Sequence, residues 1–260
     1  MFLCFVDFAG VCYNENMELA GKTALVTGAS GKIGRVLVPV LASQGVRCVC
    51  QFNTQNQVVG ELTEELSSLK GDAVFAGADL AAPGGIETLF EAVDQVGGAQ
   101  ILIQLAGTFE RTPAAGLDEE SIRSGLAINL AAPIRIAREF AQRVPNTGKA
   151  LPAGKMVHFT DITVMRPWAE YSVYCAAKAG LNAFTQVLAK ELAPRILVNA
   201  VAPGVLEGND LDEAQLAKEL GRIPAGRLGR IEEVVDAVFF LLWHDYVNGQ
   251  VLTIDGGRSL

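Results

Sequence analysis

The sequence is poor in the residues that bind transition metals. It has two histidines, His158 and His244, and five scattered cysteines, Cys4, Cys12, Cys48, Cys50 and Cys175. No spacing among them supplies a four-ligand set, so no metal site is expected. Cys48 and Cys50 fall two apart in a strand-like run and would share one face of a strand instead of forming a metal knuckle. The thiols are read as reduced and buried in a cytoplasmic protein. Runs of Lys or Arg are also missing, and 21 basic against 29 acidic residues leave a formal charge of −8. Such a chain has no field to attract nucleic acid or an anionic membrane, and neither is expected as a partner. No apolar run approaches the roughly 20 residues that span a bilayer. The opening stretch MFLCFVDFAGVCYNEN is interrupted by Asp7 and has neither a basic start nor a small-residue cleavage site, so it is not read as a signal peptide. Residues 1–16 are expected to be a poorly ordered N-terminal extension, with Met17 an alternative start. A covering role over an apolar patch or an oligomer surface stays open for them.

What is present in quantity is core material: 50% of the 260 residues are hydrophobic and 19% are charged, enough for one large domain over 17–260. Short β-branched or apolar runs at 23–26, 47–51, 73–76, 101–105, 155–159, 197–200 and 250–254 alternate with helical periods near 32–44, 55–69, 85–96, 118–143, 169–193 and 231–243. This alternation predicts an α/β fold, a doubly wound seven-stranded parallel sheet with helices on both faces. Residues 145–154 read as a surface loop. Residues 205–228 carry a short acidic helix pattern, 210–220, and form either a substrate lid beyond the strand ends or an ordinary connecting helix.

The first strand runs into Gly28-Ala29-Ser30-Gly31-Lys32-Ile33-Gly34, and a helical pattern starts at once. Glycines at such a turn let the backbone approach a pyrophosphate, whose charge meets the N-terminus of the next helix. The second strand ends in Gln51-Phe52-Asn53-Thr54 without the acid that would repel a 2′-phosphate, so NADP(H) is the expected cofactor, with NAD(H) also admitted. Lys32, Asn53 and Thr54 are candidate partners of that phosphate, although Lys32 also reads as a solvated helix-start residue. Asp79, followed by Leu80, either accepts from the adenine amino group or caps the next segment.

Further on, Tyr174 and Lys178 lie four apart and share one face of a predicted helix. A cation so placed would lower the phenol from its usual pKa of about 10 toward a range useful for proton transfer. Asn129 sits in the long helical stretch, Pro203-Gly204 follows the sixth strand, and Asp255-Gly256-Gly257 closes the chain. Taken in this order, these motifs resemble the short-chain dehydrogenase/reductase family from Leu19 to Leu260. The resemblance implies a Rossmann fold and an oxidoreductase. It also implies that Tyr174 handles the substrate proton, that Lys178 binds the nicotinamide ribose and tunes the tyrosine, that Asn129 is catalytic, and that Ala106, Gly107, Pro203 and Gly204 line the cofactor.

The departures carry the finer expectation. Asp161 stands thirteen residues before Tyr174, where the family usually has Ser, and Lys32 replaces the middle glycine of the turn. Gln104-Leu105-Ala106-Gly107 replaces the usual Asn-Asn-Ala-Gly. The first two departures resemble the pteridine reductase branch, as does Phe109, an aromatic placed to stack on a pterin or else a plain core residue. The substrate-binding set is therefore Phe109, Asp161 and Tyr174. The expected function is NADPH-dependent hydride transfer to a C=N or C=O carbon of a small molecule. The Tyr174/Asp161 pair would deliver the proton, with Asn129 organising a relay water. The alternatives are a 3-oxoacyl thioester or other carbonyl reductase, and a non-catalytic NADP-sensing binding protein. Apolar positions such as Leu126, Leu130 and Leu181 read as exposed on helices that pair between subunits in this family, which implies a homo-oligomer, a dimer or tetramer.

Overall fold

The structure, a computed structural model, describes residues 17–55, 57–68, 72–144, 152–208 and 211–260. The expectations for 1–16, for most of the loop at 145–154 and for Asp210 fall outside the described residues. Seven parallel strands form one sheet in the order β3-β2-β1-β4-β5-β6-β7. They are β1 (Thr23–Thr27), β2 (Arg47–Phe52), β3 (Ala73–Gly77), β4 (Ile101–Gln104), β5 (Gly154–Phe159), β6 (Ile196–Pro203) and β7 (Val251–Ile254). The order reverses between β1 and β4, and such a switch point opens a crevice at the carboxyl ends of the strands.

Alternation along each strand sorts the core into two layers. Leu25 pairs in register with Val49 and Leu102, and Leu102 with Met156, giving a row that faces α3 (Gly85–Gln95), α5 (Ala132–Arg143) and α6 (Ser172–Leu192). Ala24, Val26 and Ile103 point the other way, onto Leu37 and Leu41 of α1 (Lys32–Ser43) and Val234, Val238 and Leu242 of α8 (Ile231–Trp243). Each of the Val, Leu, Ile and Met side chains among these contributes roughly 1.5–3 kcal/mol by burial. Cys48 and Cys50 are free and buried on this second face. Burial pushes both thiols up, Cys48 to about 12, so they are unreactive core residues.

Several expected helices have different limits. The second, α2, is Gln57–Ser68, with 56 and 69 outside the described residues. The long helix at 118–143 is broken: α4 (Glu119–Leu126), capped by Asp118 onto Ser121 N, passes through a π-helical turn, Ala127–Ala131, into α5. The residue four after Asn129 is Pro133, which has no N–H to donate to the Asn129 carbonyl, and the local repeat widens to Ala132 N–Ala127 O. The sixth helix starts late, at Ser172, because Tyr171 leaves the helical region and Glu170 has φ +70°. In the segment after β6, the predicted acidic helix is α7 (Glu213–Leu220), entered through an Asp212/Gln215 capping box. Leu181 is not exposed as expected but 1% accessible on the sheet side of α6. Leu126 and Leu130 are half-buried.

Candidate active site

A cavity of about 1380 Å3 opens at the carboxyl ends of the strands, and it holds two chemically different ends. At the first end, β1 turns through Gly28, whose φ is +66° and where a Cβ would stand 2.7 Å from Ala106 N. Only glycine lets the turn lie against the chain leaving β4. A Cβ on Gly34 would stand 2.4 Å from Ala29 O, so glycine is also what seats α1 on the turn. Gln51 locks this region: its Oε1 accepts from Gly28 N at 2.8 Å and its Nε2 donates to Ala78 O at 2.7 Å. Its role was not anticipated, since a buried glutamine inside an apolar strand was the only signal. Ser30 lies in the turn, Ile33 and Lys32 open α1 and line the cavity, and Lys32 Nζ donates to Gly208 O across the mouth. Asn53 and Thr54 are exposed past β2 and lie outside the cavity lining among the described residues. Asp79 Oδ1 accepts from Ala81 N at 2.9 Å, which is its capping alternative, and Leu80 is buried.

At the second end, Asp161 follows β5 and begins a 3-10 turn, with Oδ1 accepting from Thr163 N at 2.7 Å. Its other oxygen, Oδ2, accepts from the Tyr174 hydroxyl at 2.9 Å. Lys178, one helical turn on, is buried; its Nζ donates to Phe159 O at 2.7 Å and lies 5.6 Å from the Tyr174 ring centre. Asn129 is buried in the π turn, with Oδ1 accepting from Thr108 N at 3.2 Å and Nδ2 donating to Gly125 O at 3.2 Å. Its amide is therefore committed to positioning the loop after β4. Gly107 fits that contact, since a Cβ there would lie 2.6 Å from Asn129 Oδ1. Gly204, next to Pro203, allows the same closeness to Asp255, and its N–H donates to Ile254 O.

The electrostatics correct one expectation. The lysine was expected to lower the tyrosine and the Asp161 carboxylate to oppose phenolate; burial first, and Asp161 second, push the phenol well above its ordinary value. Burial likewise lowers Lys178 to about 8, with Asp161 partly opposing the shift. Desolvation penalises both charged forms, and the carboxylate beside the hydroxyl adds to the penalty on phenolate. His158, just before this end, is fully buried, is lowered to about 3 by burial, and bonds Thr185 Oγ1 through Nδ1 at 2.8 Å, so it is a neutral core histidine.

Phe109 stands in the cavity, 50% exposed, so it is not a core aromatic. Its ring stacks on Tyr171 at 4.3 Å and meets Tyr174 edge-on at 4.8 Å, with Trp168 at 6.0 Å. The two loops that carry these rings are tied together by Thr112, whose N–H donates to Glu170 O at 2.6 Å and whose Oγ1 accepts from Val173 N at 3.1 Å. Trp168, Tyr171 and Arg258 complete this wall and were not anticipated, because they approach only through the fold.

The family model described as Enoyl-(Acyl carrier protein) reductase matches residues 28–259. The 3-oxoacyl-[acyl-carrier-protein] reductase FabG of Vibrio cholerae is 32% identical, over 94% of this chain and 100% of its own length. The L-xylulose reductase of Mesocricetus auratus is also 32% identical, over 93% and 98%. A provisionally assigned 2-deoxy-d-gluconate 3-dehydrogenase from Agrobacterium tumefaciens, solved with bound NADP, superposes with a TM-score of 0.82 at 31% identity, over 93% of this chain and 97% of that one. The chain belongs to the short-chain dehydrogenase/reductase family.

It is accordingly an oxidoreductase, and the family uses NAD(P)(H). The residues of this short-chain dehydrogenase/reductase fit such a dinucleotide. α1 starts from Gly31 with no side-chain cap, the kind of helix N-terminus that receives a pyrophosphate, and Ile33, Gly107 and Gly204 line the cavity beside it. Among the described residues no cluster of His, Cys, Asp and Glu could hold a metal ion, and no helix is long and apolar enough to cross a membrane.

Proposed function

We propose that this protein is an NADPH-dependent reductase of a flat, conjugated C=N or C=O substrate, in the manner of the pteridine reductases. The observation that carries this reading is the Tyr174 hydroxyl held on Asp161 Oδ2. Burial and that carboxylate keep the phenol protonated, which favours giving a proton over taking one. Phe109, stacked beside this hydroxyl, offers a face for a flat ring. When bound, NADPH supplies the hydride. Tyr174 turns its hydroxyl from Asp161 to the substrate heteroatom and gives up the proton there, and the Tyr174/Asp161 pair is reprotonated through a relay water organised by Asn129. Lys178 holds the nicotinamide ribose and stabilises the phenolate transiently formed. Gly28, Ser30, Ile33, Gly34, Asp79, Leu80, Ala106, Gly107, Pro203 and Gly204 cradle the cofactor. Lys32, with Asn53 and Thr54, meets the 2′-phosphate, and the absence of an acid after β2 supports NADPH over NADH.

A second reading is a 3-oxoacyl thioester reductase, favoured by the full-length similarity to FabG and by a cavity roomy enough for an acyl chain. NADPH and NADH oxidation against a dihydropterin, an acetoacetyl thioester and simple quinones separates the two. Pterin turnover supports the first; brisk thioester turnover without pterin turnover establishes the second. A purely cofactor-sensing role is disfavoured by the joint presence of Asn129, Tyr174 and Lys178. Assembly into a dimer or tetramer through α5 and α6, where Val187 is 49% exposed, is read directly by light scattering.

A further inference from the structure

At the corner of the cavity away from the glycine-rich turn, the C-terminal turn, α7 and the loop after β5 converge. Arg258 reaches in from the C-terminal turn and is 8% exposed. Its Nε donates to Glu219 Oε2 at 2.9 Å, and its guanidinium carbon lies 5.6 Å from the Trp168 ring centre. Glu219 is also paired with Arg222 at 3.1 Å. Burial works against the charge of this carboxyl, yet Arg258 and Arg222 outweigh it and hold it below the usual range. One carboxylate is thus shared between two guanidiniums, and the terminal nitrogens of Arg258 have no hydrogen-bond partner among the described residues.

Three other acids line the cavity: Asp161 and Glu170 are committed, and the charge of Glu207 is felt by Arg227. Asp161 serves Tyr174 and Thr163, and Glu170 pairs with Arg111. Arg166 and Lys218, which also line the cavity, make no side-chain hydrogen bond or ion pair among the described residues. At the same corner the Trp168 indole N–H is buried and has no acceptor. In a chain of net charge −8, a local excess of positive charge around an orphan donor is an anomaly of placement, not of composition. Burying a guanidinium with a divided counter-charge is costly unless something completes its hydrogen bonds.

We infer that this corner is a subsite for an anionic group, a carboxylate or a phosphate, carried by the substrate beyond the part that lies on Phe109. The inference rests on the reading of this wall as the substrate side of a reductase. The planar forks of Arg258 and Arg222 match the two oxygens of such a group, Trp168 supplies a further donor, and Arg166 and Lys218 add charge at the rim. The cofactor does not account for the feature, because its phosphates are drawn to the turn and the N-terminus of α1 at the opposite end.

The test reads binding without turnover. The chain has two tryptophans, Trp168 and Trp243, so a Trp243→Phe background isolates the fluorescence of Trp168. This protein, loaded with NADP+, is titrated with benzoate and with benzamide, which share shape and differ in charge. Benzoate is expected to bind about tenfold tighter or better, with the gap shrinking as NaCl is raised. Arg222→Gln and Arg166→Gln should each narrow the gap while leaving benzamide binding in place. Phenyl phosphate, run alongside, tells the two anion sources apart: tighter than benzoate assigns a phosphate, weaker a carboxylate. Equal binding of benzoate and benzamide overturns the inference, as does an equal loss of both probes in Arg222→Gln and Arg166→Gln, which marks a purely structural role. A retained preference for benzoate beside a failure to reduce any flat ring would remove the proposed substrate and leave the anion subsite standing.

Discussion

A buried lysine meets each end of β5, one from the strand itself and one from α6, and the two ends are treated differently. Lys155, at the amino end, is 2% exposed, forms an ion pair with Asp245 and donates to Leu242 O at 2.6 Å. Asp245 in turn accepts from Met17 N at 2.9 Å, which ties the ion pair to the chain ahead of β1. Lys178 reaches the last residue of the strand, the Phe159 carbonyl, and has no carboxylate within ion-pair distance among the described residues. Burial lowers both lysines, and for Lys178 the result is about 8. A buried lysine paired with a carboxylate, even when burial is only partly offset, belongs to the structure. One left under-compensated beside a phenol has a proton within reach of neutral pH, which is what acid–base chemistry requires.

The sharpest way to break this comparison is to remove each lysine. Lys178→Met is expected to cut turnover by about 10²–10⁴ while leaving the folded state at least as stable. Lys155→Met should do the reverse, leaving Asp245 without its partner at a cost of up to about 3 kcal/mol in urea unfolding, the carboxylate being partly screened by solvent, with turnover per folded molecule unchanged. Equal stability losses in the two variants would erase the distinction. Tyr174→Phe belongs with the first pair and should match Lys178→Met in turnover; near wild-type turnover with the best substrate would remove Tyr174 as the proton donor.

The next effect is on pH dependence. A lysine with a folded pKa near 8 and an unfolded value of 10.5 opposes folding while it is charged. Below pH 8 both states bind the proton and the penalty is constant. Between 8 and 10.5 the unfolded chain binds more protons, so wild-type stability rises with pH relative to Lys178→Met. Melting curves of both proteins across this window check it, and a gap that fails to close contradicts the assigned shift. Because Asp161 raises both Tyr174 and Lys178, Asp161→Asn should move the alkaline loss of reductive turnover to lower pH. Movement to higher pH would mean that another group governs that limb. The smallest effect belongs to an exposed cation: Lys32→Ser is expected to raise the KM for NADPH by roughly fivefold or less and to leave that for NADH alone.

Much of the fold was legible because its signals are short in range. The apolar runs located all seven strands, and the four-residue spacing of Tyr174 and Lys178 needed only helical geometry. Pro133, four residues after Asn129, carried the information for the π turn, but a strongly amphipathic pattern masked it. Leu181 was misjudged for a related reason: an apolar residue on a helix reads the same whether it faces a sheet or a second subunit. Gln51 and Trp168 gave little local signal at all.

The sequence by itself determined the alternation of elements, the glycines of the nucleotide turn and the identity of the residue facing Tyr174, because each depends on neighbours along the chain. Only the tertiary structure decided that the phenol is raised instead of lowered, since desolvation is a sum over segments far apart in sequence. The meeting of Arg258 with Trp168 and Glu219 is of the same kind. These residues come from the C-terminal turn, a loop and α7, and nothing in the local pattern of any one of them specifies the other two.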